Sequence, residues 1–232
     1  MTTPLPEETP TVPPSKRSGP AQWPARTLGG LGLVLVATLA PIGRLSQELF
    51  QGVLGPHYGS EVLWWMLTLG LFAYVRLVER RSWSSIGFCR PTRMDIALAV
   101  LTAILMLAGT MVIYNVIFPA FNLAINMKHV QALMRTSFTY RLVLVVRAAV
   151  AEETLFRGYP IERLLECRVG RGLAAFIPWA AFTYAHLASW GAAQLIVAGY
   201  GGLLLAILYL WRRNLWANML AHFIADGAGF LT

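Results

Sequence analysis

The stretch VLVVRAAVAEETLFRGYP, residues 143–160, contains EETLFR (152–157), in which two adjacent glutamates and an arginine lie within a mostly apolar run. A charged side chain at the centre of a bilayer costs about 2.5–3.5 kcal/mol on insertion scales. Glu152, Glu153 and Arg157 must therefore be paired, hydrated or neutralised. Whether their surroundings are lipid or a soluble core depends on the rest of the chain.

Composition indicates a membrane protein. The 232 residues are 56% hydrophobic and only 13% charged, whereas soluble domains carry about 25% charged residues. Several apolar runs exceed the ~18 residues typical of a membrane-spanning helix. The net charge of +8 does not indicate nucleic-acid binding, because the basic residues cluster at the ends of apolar runs rather than on one face.

The chain divides into a tail and a membrane domain. Residues 1–27 hold seven of the thirteen prolines and predict a disordered, cytoplasmic tail without a signal-peptide cleavage site. Residues 28–232 form the predicted membrane domain, an all-α helix bundle with its catalytic core at about 140–231. Its seven apolar segments are 28–43, 61–78, 95–121, 140–165, 172–189, 191–210 and 214–231.

Lysines and arginines predict the orientation. With a cytoplasmic N-terminus, thirteen of the nineteen fall on the inner side and four on the outer side, as the positive-inside rule expects. The chain is therefore predicted to be a multi-pass integral protein of the cell membrane, with its N-terminus inside and its C-terminus outside. Cys89 and Cys167 then lie on the cytoplasmic side, where thiols stay reduced.

The two glutamates are not equivalent in a helix. Glu153 and Arg157 are spaced i,i+4 with the acid first, which favours an ion pair. Glu152 lies about 100° further around the helix and faces elsewhere. We expect Glu153 and Arg157 to be structural. We expect Glu152, without a partner on its own helix, to be a general base or acid.

Two histidines also fall inside apolar segments. His186 ends FTYAH, and His222 and Asp226 lie one helical turn apart in HFIAD. Asn214 and Asn218 extend the same i,i+4 row into a polar stripe. Polar residues on several membrane helices usually face the interior of the bundle or a water-filled cavity. The other histidines, His57 and His129, are predicted to be surface residues of loops.

These residues fit two hydrolytic arrangements. In the first, Glu152 and His186 hold and deprotonate a water while His222 and Asp226 stabilise the oxyanion. In the second, Glu152, His186 and His222 bind a divalent metal such as zinc with an open water position. Both arrangements hydrolyse an acyl bond, so the residues indicate the reaction class and leave the mechanism open.

The ordered set EETLFR (152–157), FTYAH (182–186) and HFIAD (222–226) resembles the CPBP family of intramembrane endopeptidases. That family includes the CAAX prenyl endopeptidase and bacterial bacteriocin-processing and self-immunity relatives. Its pattern is EExxxR, FxxxH and HxxxN or HxxxD on three successive core helices. The resemblance extends over roughly residues 80–231, with a weaker match at SWSSIGF (82–88).

The resemblance implies that Glu152 activates water with the help of His186, and that His222 and Asp226 form the oxyanion site. Glu153 and Arg157 are then structural or substrate-orienting. Members that process CAAX substrates carry Asn where this chain has Asp226. A carboxylate donates a hydrogen bond to an oxyanion only if it is protonated, so Asp226 is protonated or orients His222 instead.

Depth in the membrane raises a conflict. At ~1.5 Å per residue, His186 lies about 5 Å from the outer end of the segment 172–189. Glu152 and His222 are expected near the middle of the bilayer. Either the end of that segment is misplaced, or substrates reach the site from a side other than the cytoplasm.

The sequence thus predicts an intramembrane endopeptidase that acts on a membrane-anchored or lipidated protein substrate within the lipid bilayer, with no nucleic-acid partner. Two alternatives remain. One is a non-enzymatic immunity or partner-regulating protein that keeps the fold. The other is a proton-coupled transporter, which should show inverted repeats; none is evident in the sequence.

Overall fold

The structure, a computed structural model, describes residues 29–30, 59, 61–124 and 126–232. The predicted tail, His57 and all of segment 28–43 except 29–30 lie outside the described residues. In chain order, the helices are α1 Glu61–Val78, α2 Arg93–Ala120, α3 Met127–Met134, α4 138–166, α5 Arg171–Ala185, α6 Leu187–Trp190, α7 Gln194–Arg212 and α8 Leu215–Phe230. A short 3₁₀ turn, Trp83–Ile86, connects α1 to α2.

Polar residues cap several helices at their first turn. Thr92 and Asp95 form a reciprocal capping box at the start of α2, which satisfies two backbone N–H groups that the helix leaves free. Ser137 accepts from the backbone of Tyr140 at the start of α4. Asn214 does the same for Trp216 in α8. Short polar side chains between the apolar segments therefore mark where these three helices begin.

Three described helices, α1, α2 and α7, are long and apolar enough to cross a membrane. In the most apolar 18 residues of α2, only 28% are buried inside the protein. Large side chains such as Leu101, Ile104 and Val116 are exposed. A soluble protein rarely exposes apolar surface on this scale, so these faces are suited to contact lipid.

Helix α4 lies at the centre of the described bundle. It packs against α1 through Leu155, Phe156 and Tyr159, and all three are buried. It also contacts α5 and α8. Two stretches of α4 are π-helical, Ala148–Glu152 and Thr154–Gly158. π segments are rare and occur frequently at functional sites, and here they flank Glu153.

The termini of six helices meet at one end of the bundle, which we call the basic end (residues 79–95, 162–171 and 210–215). Arg163 of α4 bonds to Glu79 through Nε at 3.0 Å. Arg212 bonds to Asp95 at 2.7 Å. Further pairs there are Arg81–Glu166 and Arg213–Glu162, and the Leu215 N–H donates to the carbonyl oxygen of Gly87. The segments predicted to share the inner side of the membrane therefore do lie together.

Several predicted boundaries need correction. The seven predicted spans are not confirmed. Segments 172–189 and 214–231 correspond to helices of 15 and 16 residues, and at ~1.5 Å per residue both are shorter than the ~30 Å apolar core of a bilayer. The prediction that residues around His129 form a loop is wrong, because this residue lies on α3. Cys89 and Cys167 are free thiols, as predicted.

We predict that Gly158→Ala destabilises the protein. A Cβ there would lie 2.5 Å from the carbonyl oxygen of Ile86 and 2.6 Å from Leu215 Cδ1, and overpacking of this kind costs about 1–3 kcal/mol. Thermal unfolding of the purified protein in detergent, followed by circular dichroism, should show a lower midpoint temperature.

The matched control is Gly172→Ala in α5, where a Cβ would meet no atom within 4 Å. It replaces a helical glycine with a better helix former, so its midpoint should stay level or rise. An unchanged midpoint in Gly158→Ala would contradict the close packing of α4 against the 3₁₀ turn and α8.

Candidate active site

The side chain of Glu153 is completely buried and accepts hydrogen bonds from three side chains. Arg157 Nη1 lies 3.0 Å from its Oε1, and His222 Nδ1 lies 2.7 Å from the same oxygen. Asn218 Nδ2 lies 3.1 Å from Oε2. Arg157 is on α4, and the other two donors are on α8, so this carboxylate joins the two helices. The predicted Glu153–Arg157 pair is confirmed.

Arg157 is packed as tightly as its partner. Its guanidinium carbon lies 4.0 Å above the centre of the Phe182 ring, and its Nη2 donates to the carbonyl oxygen of Gly202 at 3.3 Å. A Cβ at position 202 would lie 3.1 Å from that same Nη2. A glycine in α7 is therefore needed for the guanidinium to reach the backbone, and Phe182 of the FTYAH motif serves as its stacking platform.

His222 has its two ring nitrogens in different surroundings. The Glu153 carboxylate accepts hydrogen bonds from Arg157 and Asn218, so it is also the acceptor in its contact with His222, and Nδ1 of the ring is the donor. Nε2 lies 3.3 Å from Asp226 Oδ2 and 4.0 Å from Glu152 Oε2. Glu153 thus sets the orientation of the ring, as a carboxylate partner does for many catalytic or metal-binding histidines.

Glu152 is held by an arginine on its own helix. Arg147 Nη1 lies 3.1 Å from Glu152 Oε1, while its Nε and Nη2 bind Glu61 of α1 at 3.0 and 3.2 Å. The prediction that Glu152 has no partner on its helix is therefore wrong. In an α-helix, residues five apart lie about 140° from each other, but the π segment at 148–152 places them on one side.

All four predicted catalytic residues line one cavity of about 750 Å³. Glu152 comes from α4, His222 and Asp226 from α8, and His186 from the position that directly follows α5. His186 Nδ1 contacts the carbonyl oxygen of Phe182 at 2.9 Å. The predicted end of segment 172–189 lies four residues too far along the chain, since α5 ends at Ala185. His186, the next residue, lines the cavity together with Glu152 and His222.

The predicted polar stripe lies on one helix, α8, and its members make different contacts. Asn218, His222 and Asp226 connect Glu153 to the cavity. Asn214 caps the helix and lies 3.4 Å from Asp95 at the basic end. The row therefore runs from the basic end to the site.

Sequence reasoning missed Arg147, Glu61 and His129. Arg147 and Glu61 are buried charges, and each stands in or beside an apolar segment, which was a signal that each needed a partner. The i,i+5 spacing hid the contact with Glu152. His129 lines the cavity and its ring lies 4.4 Å from that of Trp190. Partial burial lowers the pKa of His129, which favours its neutral form.

The described histidine and carboxylate side chains of the cavity do not form a metal site. Among the described residues, no group of three or more His, Cys, Asp or Glu side chains is placed to hold a metal ion. Glu152, His186 and His222 are all described, and in this arrangement they do not form a three-ligand set with an open position. The metal-dependent alternative, with zinc or another divalent ion, is therefore not supported by the arrangement of these side chains.

Comparisons with known proteins agree with the motif pattern. Residues 134–228 match the family model described as Type II CAAX prenyl endopeptidase Rce1-like. The chain is 34% identical over 92 residues to the "Uncharacterized protein YpbD" of Bacillus subtilis (strain 168), a match that covers 40% of this chain and 44% of that protein. The matched region is thus less than half of YpbD. No solved structure matches. From residue 134 to residue 228, this chain is similar to the Rce1-like domain of type II CAAX prenyl endopeptidases.

Proposed function

We propose that this protein is an intramembrane endopeptidase that hydrolyses peptide bonds with a water activated by Glu152. One observation carries the proposal. Glu152 Oε2 and His222 Nε2 lie 4.0 Å apart at the same cavity. Glu152 Oε1 accepts a hydrogen bond from Arg147, and His222 Nδ1 donates one to Glu153. A carboxylate and an imidazole that share a cavity form a general base and a hydrogen-bond donor.

The reaction needs one water and one peptide bond. Glu152 takes a proton from the water as its oxygen attacks the carbonyl carbon, and the carbonyl oxygen becomes an oxyanion. His222 in its protonated form donates Nε2–H to that oxyanion, with Glu153 balancing the charge of the ring through Nδ1. When the C–N bond breaks, the proton held by Glu152 passes to the leaving amine. The direct products are a carboxylic acid and an amine, and the proton of the acid then passes to the amine to give a carboxylate and an ammonium group.

Asp226 and His186 have supporting roles in this scheme. Asp226 lies one turn from His222 and 3.3 Å from its Nε2, so an ionised Asp226 can hold the imidazolium until substrate arrives. This placement favours an orienting role for Asp226 over a direct hydrogen bond to the oxyanion. His186 uses Nδ1 at the backbone of Phe182, which leaves Nε2 to assist the water beside Glu152.

The substrate we propose is a membrane-anchored or lipidated protein. Apolar side chains from several helices line the cavity, among them Met106, Leu144 and Leu205. It lies well inside the bundle, because Glu152 is 11 residues, or ~16 Å along an α-helix, from Arg163 at the basic end. A peptide bond near a membrane-embedded segment can reach that depth. Family membership of residues 134–228 supports the same substrate class.

We predict that Glu152→Gln abolishes cleavage without unfolding the protein. Glutamine keeps the shape of the side chain but cannot accept the proton, and loss of a general base typically lowers rates by about 10²–10⁴-fold. The measurement compares the N- and C-termini of membrane proteins between cells that express the wild-type chain and cells that express Glu152→Gln. Termini present only with the wild type identify the substrates.

Glu166→Gln is the matched control for that experiment. Glu166 is on the same helix but lies at the basic end, where it pairs with Arg81 and Arg163, so its variant should produce wild-type termini. Identical termini in wild-type and Glu152→Gln cells would contradict proteolysis. That result would favour the alternative function, a non-enzymatic immunity or partner-regulating protein with this fold.

We also predict that cleavage by the purified protein survives treatment with a strong chelator. The expectation follows from the described arrangement of Glu152, His186 and His222, which does not form a metal-ligand set. The assay uses a substrate identified by the comparison of termini, with metal content measured in parallel. Loss of cleavage on chelation, restored by zinc, would show that the metal-dependent arrangement is the correct one.

A further inference from the structure

Arg147 is a buried arginine whose side chain bonds to two carboxylates from different helices. Its Nε and Nη2 form a two-point contact with Glu61 of α1, at 3.0 and 3.2 Å. Its Nη1 reaches Glu152 Oε1 at 3.1 Å. All three guanidinium nitrogens are therefore engaged. Arg147 and Glu61 are both less than one-tenth exposed, and the guanidinium also lies 5.4 Å from the centre of the Trp64 ring.

The planar guanidinium makes this contact directional. A bidentate arginine–carboxylate pair fixes the plane of the guanidinium, so Glu61 determines where the remaining nitrogen, Nη1, points. That nitrogen binds Oε1 of Glu152, and Oε2 is then the oxygen on the side of His222 Nε2, 4.0 Å away. The order of contacts runs from Glu61 through Arg147 and Glu152 toward the ring of His222.

Charge balance explains why a cation is needed at this place. Glu152 is next to the buried Glu153 in the chain, and Asp226 lines the same cavity. Arg157, the other buried cation close by, is bonded to Glu153. Without Arg147, Glu152 would share the cavity with Asp226 and lose the arginine that bonds to it. A buried carboxylate without a partner is strongly disfavoured.

We propose that Arg147 is a positioning residue of the hydrolytic site and that Glu61 is its anchor. Arg147 holds Glu152 turned so that Oε2 faces the substrate cavity. The inference rests on the proposed function, and it extends the site to α1, since Glu61 lies outside residues 134–228 that match the family model. The π segment Ala148–Glu152 is the local structure that brings Arg147 and Glu152 together.

The test expresses the full chain in cells as wild type, Arg147→Lys, Arg147→Gln, Glu61→Gln and Glu152→Gln. The readout is the rate at which the termini that are absent from Glu152→Gln cells appear after induction. Thermal unfolding of each purified variant in detergent is measured in parallel. Arg141→Gln is the matched control, because Arg141 lies on the same helix but donates to the backbone of Met134 and not to Glu152.

We expect Arg147→Gln to cut the rate by about 10–100-fold, the usual effect of losing a residue that orients a catalytic group. Arg147→Lys should recover part of the rate, because lysine keeps the positive charge but lacks the planar guanidinium that binds a carboxylate through two N–H groups. Glu61→Gln should cost less than Arg147→Gln at a similar loss of thermal stability, since Arg147 still contacts Glu152. Arg141→Gln should cleave at the wild-type rate even if its unfolding temperature falls.

Two results would overturn the inference. One is a folded Arg147→Gln or Arg147→Lys protein that cleaves at the wild-type rate. The other is a rate that simply follows the unfolding temperature in all variants, Arg141→Gln included, which would make Arg147 purely structural. If Arg147→Gln does not accumulate, Arg147→Lys decides alone. Unchanged termini in Glu152→Gln cells would instead overturn the proposed function, so the two failures are distinct.

Discussion

The buried carboxylate of Glu153 is the contact on which the rest of the site depends. It accepts hydrogen bonds from Arg157 on its own helix and from Asn218 and His222 on α8. Breaking a buried pair by removing one partner typically costs about 3–5 kcal/mol, so the three donors are held together strongly. One side chain thereby locks two central helices and orients the histidine that faces the cavity. Stability and catalytic geometry come from the same interaction.

The neighbouring glutamate, Glu152, faces the cavity, and its contact with Arg147 depends on a helix that is not regular between Arg147 and Gly158. Glu153 is directed into the packed interior, and Glu152 lies at the cavity with 13% of its side chain exposed. The two π segments, Ala148–Glu152 and Thr154–Gly158, surround this pair. The rarer backbone geometry therefore gives each of the two adjacent acids its own arginine, Arg147 for Glu152 and Arg157 for Glu153.

The parts of the site that could be predicted from sequence are those governed by regular helical spacing. Glu153–Arg157 and the stripe Asn218–His222–Asp226 follow the i,i+4 rule, and the Glu153–Arg157 and His222–Asp226 contacts are present. Arg147 was missed because its contact has i,i+5 spacing. Glu61 was missed because it lies 86 residues from its partner, and no local rule connects such positions.

The sequence by itself determined that the chain is an all-α bundle with membrane-capable helices and the motif residues of the proposed hydrolytic site, because hydropathy and motif order are properties of local segments. Only the tertiary structure decided that Glu153 also binds His222 and Asn218, which ring nitrogen of His222 faces Glu152, and that Arg147 joins Glu152 to Glu61. The physical reason is that a buried charge is stabilised by whichever partner packing brings within hydrogen-bond distance. That partner is set by how α1, α4 and α8 pack, and the spacing of residues along one helix does not contain it.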